Sequence, residues 1–125
     1  MANKKILLVD DEPELIEMVK LRLEANGYEV ITAGDGLEAL DKARSENPCL
    51  ILLDLMLPKM DGYRVCRTLK FDQKYKDISI IIFTARAQES DEKLSKEVGA
   101  DAYITKPFEP QKLLDKIREL LGDLR

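Results

Sequence analysis

A small set of side chains in this sequence has the types and placement to do chemistry together. Three acids stand in succession at Asp10, Asp11 and Glu12, directly after an apolar run. A fourth, Asp54, ends the most apolar run of the chain, where an unpaired charge is costly. Thr84 follows another such run and Lys106 a third. Taken singly, each is ordinary: an acid after a strand is often a helix N-cap, a threonine ends many strands, and most lysines lie on the surface. Together they gather carboxylates, a hydroxyl and an ammonium. Carboxylates packed at one edge repel one another, so they raise each other's pKa or recruit a cation. The chain has no histidine, and Cys49 and Cys66 lie far apart with no C-x-x-C spacing, so they read as reduced structural thiols. The available ligands are then all oxygen, which selects a hard ion such as Mg2+. An ionised aspartate needs no general base to act as a nucleophile. Such a site can form an aspartyl phosphate, with metal, lysine and threonine hydroxyl neutralising the transferred group. The missing histidine also excludes Ser-His-Asp or Cys-His catalysis and any imidazole metal site.

These residues converge only if the elements before them lie side by side. Short apolar runs rich in β-branched residues occur at 6–9, 28–33, 49–53, 78–83 and 102–104. Runs apolar on both faces suit parallel strands covered on both sides. Between them lie segments of helical period. Residues 13–26 place Leu15, Val19 and Leu23 on one stripe with Ile16 beside it, opened by Pro13 and closed by Gly27. Residues 36–46 repeat Leu37, Leu40 and Ala43; residues 62–70 carry Val65 and Leu69, with Asp61 as N-cap. Residues 88–98 offer only Leu94 and Val98 before Gly99, so this helix should pack most loosely. Residues 110–121 carry Leu113, Leu114, Ile117, Leu120 and Leu121. Five strand–helix units in strict alternation predict an α/β fold, a parallel sheet with helices on both faces, as a single domain over 1–125. Ligands of such a sheet bind beyond the carboxyl ends of the strands, where the chemical residues stand.

Composition agrees. With 125 residues, 45% hydrophobic and 35% charged, the chain can bury an ordinary core as a soluble globular domain. Its 24 acids against 20 bases, net charge −4, disfavour direct nucleic-acid binding. The apolar run at 6–9 is too short for a signal peptide or membrane span, so a cytoplasmic protein with no membrane association is expected.

At these residues the chain resembles receiver domains of the two-component response-regulator family. The resemblance covers essentially all of 1–125. It is carried by Leu8-Val9-Asp10-Asp11-Glu12, Leu53-Asp54-Leu55-Met56-Leu57-Pro58, Asp61-Gly62, Thr84-Ala85, and Gly99-Ala100-Asp101-Ala102-Tyr103 leading to Lys106-Pro107-Phe108, all in order. It implies a flavodoxin-like, doubly wound (βα)5 three-layer sandwich with strand order 2-1-3-4-5. It implies Asp54 as the phosphoacceptor. It implies Mg2+ (or Mn2+) bound by Asp11 directly and Asp10 through water, with Asp54 and the Met56 carbonyl. Lys106 would contact the phosphoryl group and precede a cis peptide at Pro107. Thr84 and Tyr103 would act as switch residues, altering the surface of helices 88–98 and 110–121. No motif position departs from the family. The donor would be a histidine kinase or histidine phosphotransfer protein, and the target an effector protein or fused output domain. The chain would act as a monomer or a phosphorylation-dependent dimer, and would not be an enzyme beyond assisting its own phosphotransfer and autodephosphorylation. Met56 and Arg86 occupy positions thought to tune dephosphorylation. Neither supplies an acid or amide to orient water, so a long-lived phosphoryl group is expected.

Rival readings exist on the same fold. A flavin-binding electron carrier needs a hydroxyl- and glycine-rich phosphate loop, where this chain has Asp10-Asp11-Glu12-Pro13. A Mg2+-dependent phosphohydrolase pairs its nucleophile with an acid two residues on, where this chain has Met56. A bare interaction module would not respond to loss of Asp54. No P-loop or G-x-G-x-x-G supports nucleotide binding.

Overall fold

The expected alternation is realised in a computed structural model that describes residues 4–85 and 89–122, and the side chains of all of these except 89–92. Five strands, β1 (Lys5–Val9), β2 (Glu29–Ala33), β3 (Leu50–Asp54), β4 (Ser79–Thr84) and β5 (Ala102–Thr105), alternate with five helices. These are α1 (Pro13–Ala25), α2 (Gly36–Glu46), α3 (Gly62–Lys70), α4 (Glu89–Glu97) and α5 (Pro110–Leu121). All neighbouring strands pair in parallel, in the order β2-β1-β3-β4-β5.

The pleat explains the three layers. Alternate strand residues Ile6, Leu8, Leu50, Leu52, Ile81 and Phe83 face α1 and α5, meeting Val19, Leu23, Leu113, Leu114 and Ile117. Their neighbours Leu7, Val9, Ile51, Leu53, Ile80 and Ile82 face the other way. They meet Leu40 and Ala43 of α2, Val65 and Leu69 of α3, and Val98 just past α4. Winding reverses between β1 and β3, which opens a crevice at their carboxyl ends.

Register sets the site level. Val9 pairs with Leu53, Asp54 with Phe83, and Thr84 with Thr105. Asp10, Asp54, Thr84 and Lys106 therefore end in one plane. The strands also run further toward this edge than the apolar runs suggested: Asp54, Thr84 and Thr105 are themselves the last strand residues.

Several local expectations need correction. Leu37 lies 48% exposed, because successive steps of three residues drift around the helix. The buried face of α2 is instead Gly36, Ala39, Leu40 and Ala43. On the other face of the sheet's edge, Leu94 is 38% exposed while its neighbour Ser95 is buried. Ser95 takes the inward place expected of Leu94, while Val98, just past the helix, is buried as expected. Gln88, the expected start of that helix, lies outside the described residues. α1 closes one residue early, with Asn26 as C-cap and Gly27 at φ +90°. Asp61 caps α3 as expected, its Oδ1 accepting from the Arg64 N–H at 3.0 Å. Asp35 caps α2 in the same way, accepting from the Glu38 N–H at 2.8 Å. Among the described residues no helix is long and apolar enough to cross a membrane.

Candidate functional site

Lys106 is the hub of the plane where the strands end. Its ammonium lies 2.8 Å from Oδ2 of Asp10, 3.4 Å from Oδ2 of Asp54 and 3.8 Å from Oε1 of Glu12. Asp10 is wholly buried and Asp54 nearly so. Among the described residues no other cation pairs with either. The backbone fixes each partner. The Asp10 N–H donates to the Ala33 carbonyl, continuing the β1–β2 ladder by one rung. Oδ1 of Asp10 accepts from the Glu12 N–H at 2.9 Å, and Oδ1 of Asp54 from the Met56 N–H at 3.3 Å. The Lys106 N–H donates to the Thr84 carbonyl at 2.8 Å, tying the lysine to the end of β4. The Lys106–Pro107 peptide is cis, as expected.

The loop after Asp54 has no room to move inward. A Cβ on Gly62 would lie 2.3 Å from the Asp54 carbonyl oxygen, so only glycine lets α3 begin against the end of β3. The Gly62 N–H donates back to the Leu55 carbonyl at 3.0 Å. Gly36 does the same service from α2, where a Cβ would lie 2.0 Å from the Met60 carbonyl oxygen. The loop after Asp54 is thus held between two helix starts.

Charge in this plane does not balance. Burial is the largest influence on Asp54 and raises its pKa; the Asp10 charge raises it further, against the lowering effect of Lys106 and the Met56 N–H. Burial alone would lower the pKa of Lys106, but its hydrogen bond to Asp10 and the charges of Asp54 and Asp10 outweigh this and raise it. One ammonium serves a neighbourhood of carboxylates. Asp10, Asp11 and Glu12 can each present an oxygen within 4.8 Å of the others, with Asp10 buried and the other two exposed to solvent. An all-oxygen donor set with a surplus of negative charge and a solvent-open side fits a hard divalent ion that keeps part of its water shell.

Of the residues singled out in the sequence, Asp10 and Asp54 both contact Lys106, and Asp11 stands beside Asp10. Met56 reaches Asp54 through its backbone N–H, while its side chain is exposed. Thr84 is fully buried at the end of β4. Tyr103 lies on β5 opposite Ile82, half-buried against the α2–α3 side of the core. Arg86 lies outside the described residues. An open groove runs from Asp11 past Met56 and Pro58 to Tyr63. Two participants were not anticipated. Phe83 lies under Lys106, whose Nζ is 4.8 Å from the ring centroid. Phe108 meets Phe83 edge-on, with centroids 6.1 Å apart and planes at 79°. Strand alternation assigns Phe83 to the core face, and nothing in that pattern tells which core ring will meet a charge.

Comparison with known proteins converges on one family. The family model described as the response regulator receiver domain matches residues 6–118. The chain is similar to the alkaline phosphatase synthesis transcriptional regulatory protein PhoP of Bacillus subtilis (strain 168). The two are 48% identical over 119 residues, covering 95% of this chain and 49% of that protein. It is 42% identical to the DNA-binding dual master transcriptional regulator RpaA of Synechocystis sp., over 94% of this chain and 48% of that one. The chain thus spans about half the length of these relatives. Among solved structures, the CheY-like receiver domain protein of Methanospirillum hungatei JF-1 superposes with a TM-score of 0.91. It is 36% identical, with 98% of this chain and 96% of that one covered.

Proposed function

The chain belongs to the response regulator receiver domain family, and from that premise we propose that Asp54 is its phosphoacceptor, phosphorylated by a partner histidine kinase or histidine phosphotransfer protein. Receiver domains of this family are regulatory parts of two-component signalling rather than enzymes in their own right. The observation that carries the assignment is the buried Asp54 carboxylate. It is held by a backbone N–H, crowded by Asp10, and only partly neutralised by Lys106.

Asp10, Asp11 and Asp54, with the carbonyl of Met56, would hold Mg2+ or Mn2+. When bound, the ion supplies positive charge to the phosphoryl oxygens. The chain's own residues do the rest. An oxygen of Asp54 attacks phosphorus as the P–N bond to the donor imidazole breaks, and the imidazole leaves with the bonding pair. Lys106 turns from Asp54 to a phosphoryl oxygen while keeping Asp10. The Thr84 hydroxyl donates to another phosphoryl oxygen. Since Thr84 closes β4 beside β5, its movement is passed to Tyr103 and to the surface of α4 and α5. We assign the whole of 1–125 to one receiver domain, acting in the cytoplasm with its donor. Its output belongs to an effector protein or to a fused domain, as in the longer transcriptional regulators it resembles.

The test is incubation with acetyl phosphate and Mg2+, with intact mass read for the native chain and for Asp54→Ala. One added phosphate on the native chain alone is expected. Addition to neither chain, or to both, would overturn the assignment.

A further inference from the structure

We propose that Phe83 is a positioning residue for Lys106: its ring face holds the ammonium, and Phe108 braces the ring. The proposal rests on the role given above to Lys106 in phosphoryl transfer.

A lysine stem is flexible, and its ammonium ordinarily reaches for water. Here the side chain is only 13% exposed, so its head is held inside. Three carboxylates approach it, at 2.8, 3.4 and 3.8 Å. They attract the ammonium but do not hold it centrally, because each competes for it, and Asp10 already lies nearer than Asp54. Phe83 is in register with Asp54 and is 1% exposed. Its ring centroid lies 4.8 Å from Nζ. The face of an aromatic ring carries negative potential, so it attracts a cation without adding formal charge. A further carboxylate there would deepen the excess of negative charge. An aliphatic side chain would leave that side of the ammonium without any compensating interaction. The ring therefore gives Lys106 a resting place from which it can reach both Asp10 and Asp54.

The ring itself has little freedom. Phe108 packs edge-on against it at 6.1 Å and is half-buried in the α1–α5 side of the core. Phe108 comes two residues after Lys106, across the cis peptide. One short segment thus delivers both the ammonium and the brace for the ring beneath it. A phenylalanine that merely fills the core needs neighbours of the right shape; a positioning phenylalanine needs the charge distribution of its face as well.

That difference is what the experiment reads. Phe83 is replaced site-specifically by 4-fluoro-, 3,5-difluoro- and 3,4,5-trifluorophenylalanine, which nearly keep the ring's shape while draining its face of negative potential. Phosphate uptake from acetyl phosphate at saturating Mg2+ is followed by intact mass, with thermal unfolding as the control for folding. The rate should fall stepwise along the series, to about threefold to tenfold below native for the trifluoro ring. The same series in a Lys106→Met background should be flat, because the interaction it probes is gone. A flat series in the native background, or an equal decline in both backgrounds, would reduce Phe83 to core filling.

A second measurement does not depend on phosphorylation. In the native chain the Lys106 ε-methylene protons should resonate upfield, shifted by the ring beneath them, and Phe83→Leu should abolish that shift. If the native chain takes up no phosphate, the assignment of Asp54 falls, and this shift alone decides the position of Lys106. Unshifted ε-protons in the native chain would overturn the proposal.

Discussion

Lys70 and Lys106 are buried to nearly the same extent, with 14% and 13% of their side chains exposed, yet their surroundings are opposite in kind. Lys70 lies near the amino end of β4. Its ammonium meets Asp101 at 3.0 Å and donates to the Ile78 carbonyl at 3.0 Å. Oδ2 of Asp101 also accepts from the Ile80 N–H at 2.8 Å. Charge cancels one for one, and each partner also binds one backbone group. Lys106, at the carboxyl end of the sheet, faces Asp10, Asp54 and Glu12, with Asp11 adjacent. A closed pair joins two parts of the fold and leaves no excess charge. An open one is short of positive charge, the condition in which the proposed cation and phosphoryl group would bind. Burial alone therefore does not separate a structural ion pair from a chemical one; the balance of charge around it does.

The contrast can be tested directly. The largest effects should come from removing carboxylates in the two networks. Asp54→Ala should abolish phosphate uptake, whereas Asp101→Ala should leave its rate within about twofold while costing about 1–3 kcal/mol of stability in urea unfolding. Equal loss of uptake in both would erase the distinction. Next come the lysines. Lys106→Met should slow uptake on the order of a hundredfold, the size expected for a charge aimed at the transferred group. Lys70→Met should lower the unfolding midpoint with little change in rate. The metal separates the regions less dramatically. Mg2+ at about a hundred times its Kd should stabilise the native chain and Lys70→Met alike by about 2.7 kcal/mol. Asp11→Ala, an exposed position that leaves the core intact, should lose this increment; a full increment in that variant would remove Asp11 from the ligand set.

Alkaline pH should give the smallest effect. Lys106 binds its proton more tightly folded than unfolded, so its contribution is complete below its ordinary value of 10.5 and is lost as pH rises through the folded value. Burial pushes the Cys66 thiol up to about 12 from its ordinary 9.0, so the unfolded chain ionises first and stability declines between those two values. Both shifts have the same sign, and unfolding midpoints should fall steadily above about pH 9. Cys66 should also resist alkylation in the folded chain at pH 8, while the less buried Cys49 reacts first. Rapid modification of Cys66 without unfolding would contradict its burial.

The chemical half of this contrast is legible in the sequence. The strand–helix order follows from apolar runs broken at regular intervals, and the acids of the site follow from their position after those runs. Asp61 announced itself as a cap by its place before Gly62. What stayed hidden depends on contacts between distant residues. The Lys70–Asp101 pair joins α3 to the loop before β5, and no local pattern couples them. The approach of Lys106 closer to Asp10 than to Asp54 depends on how the last loop crosses the sheet edge. Leu37 and Leu94 looked inward because a helical stripe leaves adjacent positions nearly equivalent, and only packing chooses between Leu94 and Ser95. Phe83 belongs to the core; its encounter with an ammonium is a property of the assembled edge.

The strand order carries a consequence for timing. β1 and β3 lie side by side, yet α1, β2 and α2 intervene between them in the chain, and Lys106 follows β5. On a ribosome, Asp10 and Asp54 emerge well before the lysine that stands between them. A copy still lacking its fifth strand–helix unit has crowded carboxylates with no ammonium to answer them. On the assignment proposed for Asp54, full competence to accept a phosphoryl group would therefore wait until the last segment has docked.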